Sequence, residues 1–472
     1  MNSKLKKLLG DTGLFALSNM GSKLIVLLMV PLYTSVLSEA DYGIADLITS
    51  TNSLLVPLLT LSISEAVVRF LFDKGKERQR VLGNALSVAL VGMITVGLLS
   101  PLLMLFDFEL KSHWYWVPVI FASTVINSIF SSYARGTNRI RAFAIKGILQ
   151  TLIMVSLNLF FLLVLRIGLT GYLLSIVLAE LISIVFLIVV GGIYKGELFS
   201  VRMDKVGLKE MLAYSIPMIP TVIAWWIMQL SDKYVVIAFC GIAASGVYAV
   251  AYKIPTILST VTSIFSQAWQ LSAFENSDER DYSDFVSTIY RYFWIINAVF
   301  CAGLIALSKP LASLLYQKEF FEAWRYVPIL VIAYLFSGVS GFLASVFSAA
   351  KRTNMLFHST VVGALVNLAL NLALVPFFGV MAAAFTTFLG FFATWLIRIF
   401  SSRKIVRIKI NWIKDGVTFA LLAASAVLVC IGFEYSLFVG LGVAALIMVI
   451  YIDSIGGIVN GLLRKGRKEM KK

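Results

Sequence analysis

Histidine and cysteine are almost missing from this chain: two and three of 472 residues. His113 and His358 lie far apart, and Cys240, Cys301 and Cys430 are an odd number, each in apolar sequence. Such thiols behave as small core residues, so neither a disulfide framework nor a metal centre is expected. Charge is scarce as well, at 14% of residues. The charges that exist do not gather into an acid/base or nucleophile constellation. An integral-membrane polymerase or acyltransferase would need catalytic groups on substantial extramembrane loops, and the loops on one side of this chain are short. A transporter rather than an enzyme is expected, with no cofactor.

Apolar sequence is what the chain has instead. It is 59% hydrophobic with a mean hydropathy of +0.90. Its continuous apolar runs of about 20 residues read as membrane-spanning helices, since that length crosses about 30 Å of hydrocarbon. A β-barrel would alternate apolar and polar residues instead. The expected fold is all-α and integral to the membrane, with about fourteen spans near 12–37, 42–72, 79–106, 114–135, 141–165, 168–193, 208–240, 243–273, 283–316, 325–350, 354–376, 379–401, 415–433 and 435–459. The first run is too long for the apolar region of a cleavable signal peptide.

Basic residues outnumber acidic ones, 40 to 25. They fall on alternate loops: Lys4, Lys6 and Lys7, then KGKERQR, RGTNRIRAFAIK, YKGELFSVRMDKVGLK, KRTN, RKIVRIKINWIK and the tail RKGRKEMKK. The opposite loops carry Lys111, Arg166, Lys309, Lys318 and Arg325. This asymmetry is the positive-inside signal, so both termini are expected in the cytoplasm and no nucleic acid is expected as a partner. An acidic string on the inner side, FENSDERDYSDF, does not overturn it, because acidic residues count little in that rule.

Ionisable residues inside membrane segments are costly and are therefore candidate functional groups. Lys23 lies near the middle of the first span and is expected to face the protein interior. Asp46 is near the outer end of the second span; Glu65, deeper than an interfacial residue, and Arg69 share a face near its inner end. Glu180 is a mid-span acid whose plainer role is pairing. Asp232 and Lys233 are adjacent, so they point in different directions and at least one needs a partner on another helix. Lys253 is a further cation, and Gln229 and Asn367 are neutral companions. Pro217 and Pro220 break the helix ladder at the start of the seventh span and are hinge candidates.

The chain also repeats. RGTNRIRAFAIKGILQTLIMVSLNL and KRTNMLFHSTVVGALVNLALNL share a basic loop ending in Thr-Asn, with Asn138 and Asn354, and a late Leu-Asn-Leu, with Asn158 and Asn371. Each then crosses an outer turn with a glycine, Gly168 or Gly379. SEADYGIADLI and IAASGVYAVAYK likewise share a glycine-centred outer turn. Two six-helix bundles are expected, 1–200 and 201–410, with a helix pair and basic cytoplasmic tail over 411–472. Six spans per half make the repeats parallel, related by an axis along the membrane normal, a design that can expose a central site to each side in turn.

The strings KEMLAYSIPMIP, WIMQLSDKYVV and GVYAVAYKI, with PLYTSVLSEADYGIADLITS and NLALNLALVPFFGVMAAAFTT, resemble the polysaccharide (oligosaccharide-lipid) flippases. These belong to the superfamily that also holds multidrug and toxin extruders and lipid II flippases. The resemblance implies two bundles around a cationic cavity in a bacterial inner membrane. It implies export of undecaprenyl-pyrophosphate-linked oligosaccharide, as for O-antigen, against a proton or sodium gradient. A polysaccharide polymerase and a chain-length regulator would be partners, with membrane lipid around the protein. On this reading Lys23, Lys233 and Lys253 bind the anionic headgroup, and Asp46, Glu65, Asp232 and Glu180 bind the coupling ion or hold those cations. A lipid II flippase and a drug extruder are the alternatives of the same fold; a cationic cavity would repel cationic drugs.

Overall fold

The structure, a computed structural model, describes residues 21–72, 77–105, 109–194, 202–275, 282–350 and 352–454. Among them there are helices, turns and no strand. In chain order the helices are α1 Gly21–Val36, α2 Glu39–Leu59, α3 Ile63–Phe72, α4 Arg78–Leu99, α5 Trp116–Gly136, α6 Ile140–Leu159, α7 Gly168–Val189, α8 Lys205–Ser215, α9 Ile219–Cys240, α10 Ile242–Ala251, α11 Pro255–Glu275, α12 Tyr282–Leu315, α13 Val327–Ala349, α14 Thr353–Ser402, α15 Trp412–Cys430 and α16 Ser436–Ile450. Nine described helices are long and apolar enough to cross a membrane, or eleven when two bent pairs are each taken as one span. Side chains such as Leu105, Phe377 and Ile413 lie about four-fifths exposed. In water that would be costly; against acyl chains it is expected.

Local chemistry sets the helix ends. Ser38 accepts from the Asp41 backbone while Asp41 reaches back to Ser38, a capping box that starts α2. Asp204 caps α8 by accepting from the Val206 and Gly207 amides. Two breaks need glycine: φ is +51° at Gly168, the first residue of α7, and +60° at Gly379, where α14 breaks into two helical pieces. These are the two glycines that the repeat pairs.

The span read over 42–72 is not continuous. α2 and α3 meet at a 54° bend, with Leu61 and Ser62 both left-handed and Pro57 in the turn before. A proline removes one ladder hydrogen bond, and here the chain uses that gap to turn. The span read over 243–273 likewise bends by 45° between α10 and α11, at Tyr252–Ile254.

The helices form two compact units, Met1–Gly246 and Val247–Lys472. In the first, α5 packs on α7, α3, α4 and α2, and α8 and α9 join this group through α3 and α2. Its core includes Ile48, Leu82, Phe121, Tyr133, Leu173 and Leu187. In the second, α13 packs on α14 and α11, while α12 packs on α15 and α16. Aromatic contacts run through it, from Phe336 to Trp395, Phe392 and Phe419. The division read from the repeat, 1–200, 201–410 and 411–472, therefore differs from the packing. The seventh span belongs with the first unit because its side chains bond to α2, and the terminal pair belongs with the second because it lies on α12.

Candidate functional site

α2 and α9 meet over a line of polar contacts in the first unit. At its centre the Lys233 ammonium donates to Asp46 Oδ1 at 2.9 Å, with Oδ2 2.7 Å from the same nitrogen as a charge contact. The side chains are only 10% and 16% exposed. Ser50 Oγ accepts from the same ammonium at 3.5 Å. One turn along, the Tyr234 and Thr51 hydroxyls share a 2.7 Å hydrogen bond, and the Trp226 indole donates to the Ser50 carbonyl at 3.0 Å. A buried ammonium and carboxylate each lose hydration, and only close pairing offsets it. The need for a partner on another helix, read from the adjacency of Asp232 and Lys233, is met by Asp46 across 187 residues of sequence. Asp232 is 1% exposed and accepts from the Lys233 backbone amide.

Beyond the pair the backbones touch. A Cβ on Gly43 would collide with the Ile242 carbonyl oxygen, and one on Gly246 with that of Glu39. Only glycine fits at either position. Gly43 and Gly246 are the glycines of the two matched strings; each lies inside a helix, α2 or α10, and not in the outer turn expected of it, and the repeat brings its own counterparts into contact.

The other charged candidates sit differently. Lys23 is exposed, not enclosed; it lies in the first described turn of α1, beside exposed Leu24. Glu65 is also exposed, because the bend before α3 puts it in a new first turn rather than deep in one long helix. Arg69, one turn on, is exposed as well. Lys253 is half-buried at the α10–α11 bend, in the second unit. Pro217 and Pro220 lie where the long helix changes character: α8 ends, Ile216–Met218 forms a 3-10 turn, and α9 begins with Pro220 in its first turn. Of the acidic inner string, Asp278, Glu279 and Asp281 lie outside the described residues. Asp284 pairs with Lys409 at 2.8 Å, so the end of this string and the basic loop before α15 share one end of the second unit.

Two buried cations escape a reading by loops. Lys146, counted with the basic loop, is in α6 and 6% exposed. Its ammonium donates to Asn127 Oδ1 at 2.5 Å and to Ser131 Oγ at 3.3 Å. Arg398 is fully buried in α14 and donates to Ser359 Oγ, the Ser340 carbonyl and Thr360 Oγ1 at 2.7–3.0 Å. Both lie inside segments read as spans, and their charge within apolar sequence is the signal that could have found them. The repeat's paired asparagines also differ: Asn158 donates to the Tyr33 hydroxyl at 3.2 Å, whereas the buried Asn371 amide makes no hydrogen bond among the described residues.

A family model described as "Polysaccharide biosynthesis protein" matches residues 8–270, more than half of the chain. The chain belongs to that family. A second model, MatE, matches 217–373, across the second copy of the repeat. Solved structures share the fold. A lipid II flippase MurJ in an inward closed conformation superposes with a TM-score of 0.73, covering 94% of this chain and 99% of its own at 15% identity. An inward-facing multidrug resistance MATE family transporter gives 0.67, over 84% and 96%, at 14% identity. A MOP superfamily transporter from Pyrococcus furiosus, described by a binding pocket of reverse polarity, gives 0.59 over 88% and 96%, at 14% identity. An uncharacterized membrane protein of Methanocaldococcus jannaschii is 24% identical over 121 residues, 26% of this chain and 24% of that relative's length. This family member is thus a multi-pass membrane protein of the MOP superfamily, whose members named here are flippases and transporters.

Proposed function

We propose that the chain is a flippase that moves undecaprenyl-pyrophosphate-linked oligosaccharide from the cytoplasmic to the outer leaflet by alternating access, coupled to a proton or sodium gradient. The observation that carries this reading is the Asp46–Lys233 pair. A pyrophosphate offers more charge and more acceptor oxygens than one carboxylate, so an arriving headgroup can take the Lys233 ammonium from Asp46. That exchange removes the ion pair between α2 and α9. The cargo then favours the conformation in which those helices part, which is how a ligand shifts a conformational equilibrium. Lys23 and Lys253 are proposed as further phosphate-binding cations, each in its own unit. Asp46, Glu65, Asp232 and Glu180 are proposed as coupling-ion or charge-holding groups. Placement in a bacterial inner membrane with both termini cytoplasmic is supported by the loop charges, and a polymerase and chain-length regulator would act on the flipped product.

Lipid II is the second reading, favoured by the likeness to the lipid II flippase over 94% of the chain; its pyrophosphate would use Lys233 in the same way. A cationic drug would not. The test is a leaflet-exposure assay with purified protein in liposomes, run on pyrophosphate-linked oligosaccharide, lipid II and a cationic dye in parallel. The oligosaccharide should move, and Lys233→Ala should slow it about tenfold, the equivalent of roughly 1.4 kcal/mol of charge-assisted bonding. Movement of lipid II alone would select the second reading, movement of the dye alone an extruder. An undiminished rate in Lys233→Ala would end the headgroup-exchange mechanism.

A further inference from the structure

Within the first unit, away from the α2–α9 pair, three helices bury a cluster of titratable and polar groups. Glu180, near the midpoint of α7, is 8% exposed. Its Oε2 accepts from Ser123 Oγ at 2.5 Å, and both oxygens accept from Thr124 Oγ1 at 3.2 Å, the two hydroxyls coming from α5. Lys146 approaches from α6. No ion pair joins the two: the ammonium goes to Asn127 Oδ1 and Ser131 Oγ instead, although its field reaches the carboxylate. Asn127 faces both charges, because its amide also acts on Glu180. Gln150 of α6 receives Asn127 Nδ2 and Ser183 Oγ, each at 3.5 Å, and closes the cluster.

We propose that this cluster is a proton-binding site built around Glu180, and that the ion exchanged for cargo is a proton and not sodium. Three features support it. The ligands of Glu180 are hydroxyls, which donate to a carboxylate and can rotate to accept from a carboxylic acid, so both protonation states are satisfied without moving a helix. A hard metal cation needs a shell of oxygens with surplus negative charge, but here the Lys146 ammonium already supplies the positive charge. Thr124, Ser131 and Gln150 are only half-buried, so exchangeable groups lead from Glu180 toward the surface of the unit. The elements packed on α7 present these groups: α6 presents Lys146, its π-helical end Phe160–Val164 presents only apolar side chains, α5 presents hydroxyls and an amide, and α1 and α2 meet α7 through Tyr33 and Tyr42 at Tyr172, two turns from Glu180. The step is one proton added to the carboxylate, giving a neutral acid beside an ammonium. The cluster then changes from neutral to singly positive, and this charge change can bias how α5, α6 and α7 pack. The link to cargo rests on the flippase reading; the proton site itself does not.

The test is infrared difference spectroscopy of the full chain in a lipid film, titrated with pH in potassium and then in sodium buffer. A protonated-carboxyl stretching band should titrate, be identical in both salts and vanish in Glu180→Gln. Lys146→Gln, which removes the facing ammonium, should move its midpoint up by about one pH unit, a tenfold change in proton affinity. Ser123→Ala keeps the carboxyl and should shift the band frequency, which covers the case in which Glu180→Gln does not fold. A band that survives in Glu180→Gln, or that sodium displaces in the unaltered protein, overturns the proposal. The readout needs no cargo, so failure to flip oligosaccharide would count against the proposed function alone.

Discussion

Lys233 and Asp46 place opposite charges against each other between α9 and α2, and Ser50 Oγ also accepts from the ammonium at 3.5 Å. Removing the carboxylate takes a full negative charge from beside a largely buried cation, whereas removing both charges leaves neither member of the pair to be compensated. Asp46→Ala should destabilise the protein by about 2–3 kcal/mol, at the lower end for a buried pair because neither partner is fully enclosed. The double variant Asp46→Ala/Lys233→Ala should cost less than the sum of the single changes, with a coupling of about 1–3 kcal/mol. Thermal unfolding in detergent measures the cycle, and strictly additive losses would show that the pair holds no structure. The partner of Lys233 was legible only in part. The sequence position of a charge in an apolar run says that a partner exists, but which helix supplies it depends on the order of helices in the bundle. The same limit hid Lys146 and Arg398. Their bonds go to neutral groups, so no complementary charge marks them in the sequence.

At the scale of the element, Pro217 and Pro220 interrupt one long helical segment, Lys205–Cys240, near its start. Alanine at both positions would restore the missing donor and let α8 run into α9 as one rod. We expect Pro217→Ala/Pro220→Ala to raise thermal stability, since alanine is the better helix former by up to about 3 kcal/mol in an interior position. If the 3-10 turn is a hinge, the flipping rate should fall at the same time. Higher stability with an unchanged rate would make the prolines simple helix-start residues. These breaks are the readable kind, because proline announces itself. The bend at Thr60–Ser62 is not: LTLSIS looks like continuous span, Leu61 and Ser62 carry no mark of a left-handed backbone, and only Pro57 upstream hints at a free carbonyl. Gly379 breaks α14 as the repeat with Gly168 implies, since no other residue tolerates its φ of +60° with ψ of −147°.

For the whole molecule, the all-helical membrane fold was legible, and nine to eleven of the described segments are long and apolar enough to span, because run length and a continuously apolar face are set by the bilayer, which acts on sequence directly. The unit boundary was less legible. Sequence similarity records where the second copy begins, while packing records what that copy's first helix touches, and here the two differ by about one span. Orientation gives a prediction at this scale. In a cysteine-free background, Ser112→Cys should react with an impermeant thiol reagent in intact cells, and Lys404→Cys only after the membrane is opened. Both positions are exposed, so access rather than burial decides the outcome. The reverse pattern would invert the topology.

The Gly43–Gly246 contact has a kinetic consequence. The glycines let the two backbones meet, with the Ile242 side chain laid against Gly43, so the helices are held close enough for the neighbouring Asp46–Lys233 pair to form. Part of the resistance to parting at that end then lies in a bond whose strength depends on charge. A transporter arranged in this way can have its opening rate set by ligand chemistry, and adding bulk at either glycine would alter the resting conformation before it altered affinity for cargo.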